Sequence, residues 1–121
     1  MDELIAQLAA KTGIDNAVAG KAVGIILDFL RKEGPADKVQ ALIDGIPGAS
    51  AVIATSANSG RLDRLAGGGL MALGSKLIAL GLGMGQIQNI ARELLRFGRD
   101  RIGTDRIDAI IAGTPGLRQF A

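Results

Sequence analysis

Shifted against itself by 68 residues, this chain matches without a gap. Residues 8–49 laid on 76–117 share 10 identities in 42 positions, where about four are expected from composition. The identical pairs include Gly13/Gly81, Leu27/Leu95, Phe29/Phe97, Arg31/Arg99, Asp37/Asp105 and Ile43/Ile111, and they close on Gly45-x-Pro47-Gly48 against Gly113-x-Pro115-Gly116. Two amphipathic helices resemble each other through periodicity alone, but a shared Gly-x-Pro-Gly turn is not a product of that periodicity. The chain therefore reads as an internal duplication, with residues 1–49 as one unit and 67–121 as the second. Residues 50–66 between them, rich in Ala, Ser and Gly, read as a mobile linker.

Each unit reads as three helices. The first runs from Asp2 to Lys11 with Leu4, Ile5 and Leu8 at helical spacing, and Gly13 offers the left-handed conformation that ends it. Asp15 is placed to cap the second, whose apolar stripe is Ala19, Ala22, Val23, Ile26, Phe29 and Leu30. Gly34-Pro35 separates it from the third, which buries Val39, Leu42 and Ile43 and stops at Gly45. In the second unit the stripes are Leu70, Leu73, Leu77 and Leu80, then Ile87, Ile90, Ala91, Leu94 and Phe97, then Ile107, Ile110 and Ile111, with Thr104 as the cap of the last helix. No stretch alternates as a strand does. The expected class is all-α, and three short helices bury too little surface to be secure alone. One six-helix bundle-like unit is expected, with a dimer exchanging units as the competing arrangement.

Composition narrows the chemistry. His, Cys, Trp and Tyr are absent, which removes the commonest general base, thiol nucleophiles, disulfides and the usual soft metal ligands. The acids are scattered over helix ends and polar faces, with none expected in an apolar setting. No catalytic, cofactor-binding or metal-binding residue is assigned, and no enzyme activity or cofactor is expected. The segment Gly69 to Lys76 is a near miss for a phosphate-binding loop, with Ser75 and Lys76 in reversed order and no strand before it. Gly81, Gly83 and Gly85 follow a helix rather than a strand, so they read as a turn and not as a dinucleotide fingerprint.

Two features suggest surfaces. Leu65 to Gly85 has only Ser75 and Lys76 as polar side chains in 21 residues, long enough to span a bilayer. Lys76 at its centre and seven glycines argue against spanning and for a buried first helix. A peripheral lipid-facing helix is the alternative, with Leu70, Leu73, Leu77 and Leu80 toward lipid and Lys76 as the interfacial charge. Arg92, Arg96 and Arg99 recur at four and three residues and share one helix face, a candidate interaction patch. Arg31 and Arg99 occupy equivalent positions, which suggests that each holds the last carbonyls of its helix. The formal charge is only +2, and the three Phe residues are too few for a single-strand stacking platform, so nucleic acid is the weaker partner. The chain opens Met-Asp-Glu without a basic n-region, and the expectation is cytoplasm, or the inner-membrane surface under the lipid reading.

The run from Gly13 to Val39, containing AVGIILDFLRKEGPADKV, together with the Pro47-Gly48 and Pro115-Gly116 turns, resembles small bacterial helical proteins of "domain of unknown function 2267" and the similar 2780 group. The resemblance covers nearly the whole chain. It implies a compact helical bacterial protein and carries no activity, cofactor or catalytic residue. The functional expectation is a non-enzymatic protein–protein interaction module, binding an unidentified protein or a second copy of itself.

Overall fold

In a computed structural model, described over residues 2–46, 48, 49, 51 and 69–114, the chain is all-helical. Among the described residues six helices follow one another: α1 (Asp2–Thr12), α2 (Asn16–Glu33), α3 (Ala36–Gly45), α4 (Gly69–Ala79), α5 (Met84–Ile102) and α6 (Thr104–Gly113). The linker expected at 50–66 lies outside the described residues except for Ala51, as does Phe120.

The helix ends follow from local chemistry. Gly13 and Gly81 close α1 and the turn after α4 with φ of 70° and 89°, a region where an L side chain is strained. Asp15 stands at the N-cap of α2 with extended backbone, but its side chain makes no capping hydrogen bond. The cap expected at Thr104 is corrected. Gly103, at φ 98°, both ends α5 and precedes α6, so Thr104 is already helical. A positive-φ glycine lets two helices meet across one residue, leaving no extended position for a threonine cap.

The long helices α2 and α5 form the centre. α2 packs on α1, α3, α4 and α5, and α5 packs on α1, α2, α3 and α6. The first helix of each half thus lies against the middle helix of the other, α1 on α5 and α4 on α2. One hydrophobic cluster joins Leu4, Leu8, Leu27, Leu30, Leu42, Leu77, Ile90, Leu94, Ile107 and Ile110, among others, from all six helices. Burying a side chain of this size contributes about 1.5–3 kcal/mol, so the shared core, rather than helix propensity, holds the short elements in place.

Close approaches occur where the halves cross. A Cβ on Gly98 of α5 would fall 2.7 Å from both Leu42 and Ile107 side chains. A Cβ on Gly45 would meet Ile102 at 2.9 Å, and one on Gly113 would meet Pro35 at 2.9 Å. In each of the last two cases a third-helix glycine lies against the junction of the other half's second and third helices.

Candidate functional site

The Arg series lies on α5. Its core side buries Ile87, Ile90, Leu94 and Phe97, and helical spacing then turns Arg92, Arg96 and Arg99 outward, where all three are exposed. Arg99 faces the Asp108 carboxylate at 3.6 Å. Arg92 and Arg96 make no ion pair among the described residues. Beside them runs a groove of about 600 Å³ between α1 and α5. Its lining includes the charged Lys11, Glu93, Arg96 and Asp100 together with the Phe97 ring.

That groove is braced by pairs that tie the two halves together. Lys11 Nζ donates to Glu93 Oε2 at 2.9 Å, and Arg101 stands 3.8 Å from Glu3. The Arg101 guanidinium also lies 4.7 Å from the centre of the Phe97 ring, a cation–π distance. Lower down, Gln86 works twice. Its Oε1 accepts from the Gly83 N–H at 2.9 Å, and its Nε2 donates to the Thr12 carbonyl at 3.0 Å. Gln86 thereby caps α5 and fixes it to the end of α1, satisfying groups that helix termini leave unpaired.

Sequence reasoning missed Asp28. It was expected on a polar face, yet it is only 4% exposed on α2. Arg31 Nη2 donates to its Oδ1 at 2.9 Å, and Lys32 Nζ lies 3.0 Å from Oδ2. The pairing suits a carboxylate that burial would otherwise leave costly. Its signal in the sequence is the spacing to basic residues three and four positions on. Arg31 and Arg99 do not share the carbonyl-holding role expected of them. Arg31 engages a carboxylate on its own helix, whereas Arg99 reaches across to α6.

Lys76 of α4 joins the Asp28 cluster. Burial holds its ammonium below the usual lysine pKa, Lys32 nearby adds to that lowering, and Asp28 opposes it. The other residues of the lipid-facing expectation divide. Leu73 and Leu77 lie in the core against α2, Leu80 is half-buried, and the Leu70 side chain lies outside the described residues. While this packing holds, Leu73 and Leu77 are not available to a bilayer. Residues 69–79 form unbroken helix, so Gly74, Ser75 and Lys76 do not make a phosphate-cradling loop. Among the described residues no helix is long and apolar enough to cross a membrane, and no group of acids is placed to hold a metal ion.

No family model matches the chain, nor does any curated protein or solved structure. The likeness to the bacterial family of unknown function accordingly stands on the sequence motifs alone.

Proposed function

We propose that this chain is a non-enzymatic helical interaction module, built by duplication of a three-helix unit, that docks a soluble partner protein in the cytoplasm through the outer face of α5. The observation that carries this reading is the pair Arg92 and Arg96. They stand one helical turn apart, exposed, with no ion-pair partner among the described residues, and Arg96 lines the α1–α5 groove. Exposed guanidiniums without internal partners are suited to bidentate contact with carboxylates on another molecule. Of the neighbouring charges, Glu93 is engaged by Lys11 and Arg99 by Asp108, while Asp100 lines the same groove as Arg96.

The duplication is supported by the helix boundaries. Adding 68 to the limits of α2 and α3 gives 84–101 and 104–113, against 84–102 and 104–113 for α5 and α6. The buried Val39, Leu42 and Ile43 map onto the buried Ile107, Ile110 and Ile111. The first helices follow with a slip of one residue, Leu4 and Leu8 corresponding to Leu73 and Leu77 at an offset of 69.

The test compares the native chain with the triple variant R92E/R96E/R99E, tagged and cross-linked in bacterial lysate. A soluble partner recovered by the native chain and lost by a triple variant of unchanged helicity is the expected result. Equal recovery by both overturns the Arg face as the docking surface. Recovery of nucleic acid with a steep salt dependence would instead favour the weaker alternative.

A further inference from the structure

The α1–α5 groove is bridged at both ends and unbridged in its middle. Lys11 and Glu93 join across one end at 2.9 Å, and Glu3 and Arg101 stand 3.8 Å apart across the other. Between these pairs the lining is Gln7 from α1 with Arg96, Phe97 and Asp100 from α5. Gln7, Arg96 and Asp100 are exposed, and none of them makes a side-chain hydrogen bond or ion pair among the described residues. The middle of the groove therefore offers one cation, one anion and one amide beside an aromatic ring.

Opposite charges four residues apart on a helix commonly satisfy each other, and the order with the acid first is the better one. Under the duplication proposed above, Arg96 and Asp100 correspond to Asp28 and Lys32. That first-unit pair has the acid first and closes on itself, Lys32 Nζ lying 3.0 Å from Asp28 Oδ2. The second unit reverses the polarity, places the cation first, and leaves the pair open. Helix α5 thus presents two opposite, unpaired charges in a concave site of about 600 Å³, a volume within the range of small-ligand pockets.

A zwitterion is the ligand complementary to such a pair, and the spacing selects its length. Four residues of helix set the two positions about 6 Å apart along the axis. The amino nitrogen and carboxyl carbon of an extended dipeptide are also about 6 Å apart, whereas in a single amino acid they are about 2.5 Å apart. We propose that the middle of the α1–α5 groove binds a free dipeptide, its carboxylate on Arg96 and its ammonium on Asp100. The guanidinium fork of Arg96 matches a carboxylate bidentately. Gln7 is the partner for the single peptide group, and Phe97 offers the contact for an apolar side chain. The site uses neither Arg92 nor Arg99, so it stands apart from the reading of the α5 face as a protein-docking surface.

Titration of the full chain with alanyl-leucine, followed by nuclear magnetic resonance of the backbone amides, tests this. Saturable shifts should centre on Gln7, Arg96, Phe97 and Asp100. N-acetyl-alanyl-leucinamide, neutral at both ends, should bind about tenfold more weakly or less. The variants separate the two ends of the ligand. D100N should weaken alanyl-leucine about tenfold and leave the residual binding of N-acetyl-alanyl-leucine unchanged, since that ligand has no ammonium to lose. R96Q should weaken alanyl-leucine by a similar factor and leave the residual binding of alanyl-leucinamide unchanged. Both variants should keep native helicity by circular dichroism, because the two side chains are exposed. R92E/R99E, which spares Arg96, should bind alanyl-leucine as the native chain does, whatever becomes of its protein partners. The proposal is overturned by the absence of saturable shifts, by equal binding of the free and the doubly blocked dipeptide, or by undiminished binding to D100N and R96Q.

Discussion

Asp28 illustrates how a single side chain sets an asymmetric energetic requirement. Its carboxylate is buried, whereas Arg31 and Lys32 are about half exposed. Removing the acid leaves Arg31 and Lys32, which water can solvate and which still favour the C-terminal turn of α2 through the helix dipole, and takes from Lys76 the charge that opposes its desolvation. Removing both cations strips a buried anion of its partners on α2, which costs more. The variant D28N should therefore lose less than R31A/K32A, which leaves a buried acceptor without its partners on α2 and should lose about 1–3 kcal/mol. Urea denaturation checks the order. A D28N loss larger than that of R31A/K32A would contradict the account of the cluster. Gly13 and Gly81 were legible in the sequence because a helix-ending glycine has one physical use. Asp28 was not, since a charged residue inside an apolar stripe reads as surface until the facing helix is known.

At the scale of elements, glycines separate packing from propensity. Gly98 lies where α5 crosses α3 and α6, and a methyl group there would press on Leu42 and Ile107 at 2.7 Å. Both neighbours are fully buried and have little room to move. G98A should cost about 1–3 kcal/mol through overpacking. Gly74, in the middle of α4, has no described atom within 4 Å of the position a methyl group would take. G74A should stabilise by about 0.5–1 kcal/mol, because alanine loses less backbone entropy in a helix. Thermal melts of the two variants should move in opposite directions, and a destabilising G74A would show that α4 has neighbours its described packing does not include. Helical periodicity revealed the six described helices and most of their buried residues, including Ile107, Ile110 and Ile111. It did not reveal which way α4 turns, because its run of apolar residues and glycines carries little amphipathic contrast. The absence of a cap at Thr104 has a related reason, since Gly103 performs two jobs that a sequence pattern assigns to separate residues.

For the whole molecule, the consequential feature is the bracing across halves. α1 rests on α5 and α4 on α2, and Lys11–Glu93, Gln86–Thr12 and Glu3–Arg101 all join residues from opposite halves. The exposed ion pairs among these contribute little individually. The shared hydrophobic cluster contributes most, and neither half contains it alone. The all-α class was visible in the sequence, but the placing of α1 against both α2 and α5, and of α4 against α2, was not, since periodicity describes a face without naming what covers it. The Arg face depends on this architecture, because α5 is held on one side by a helix from the other half. The most direct measurement is circular dichroism of residues 1–51 and 67–121, separately and then mixed in equal amounts. The cross-braced account predicts that each half is largely unfolded alone and that mixing restores helicity with a cooperative melt. A half that folds cooperatively by itself, unchanged on mixing, would contradict it.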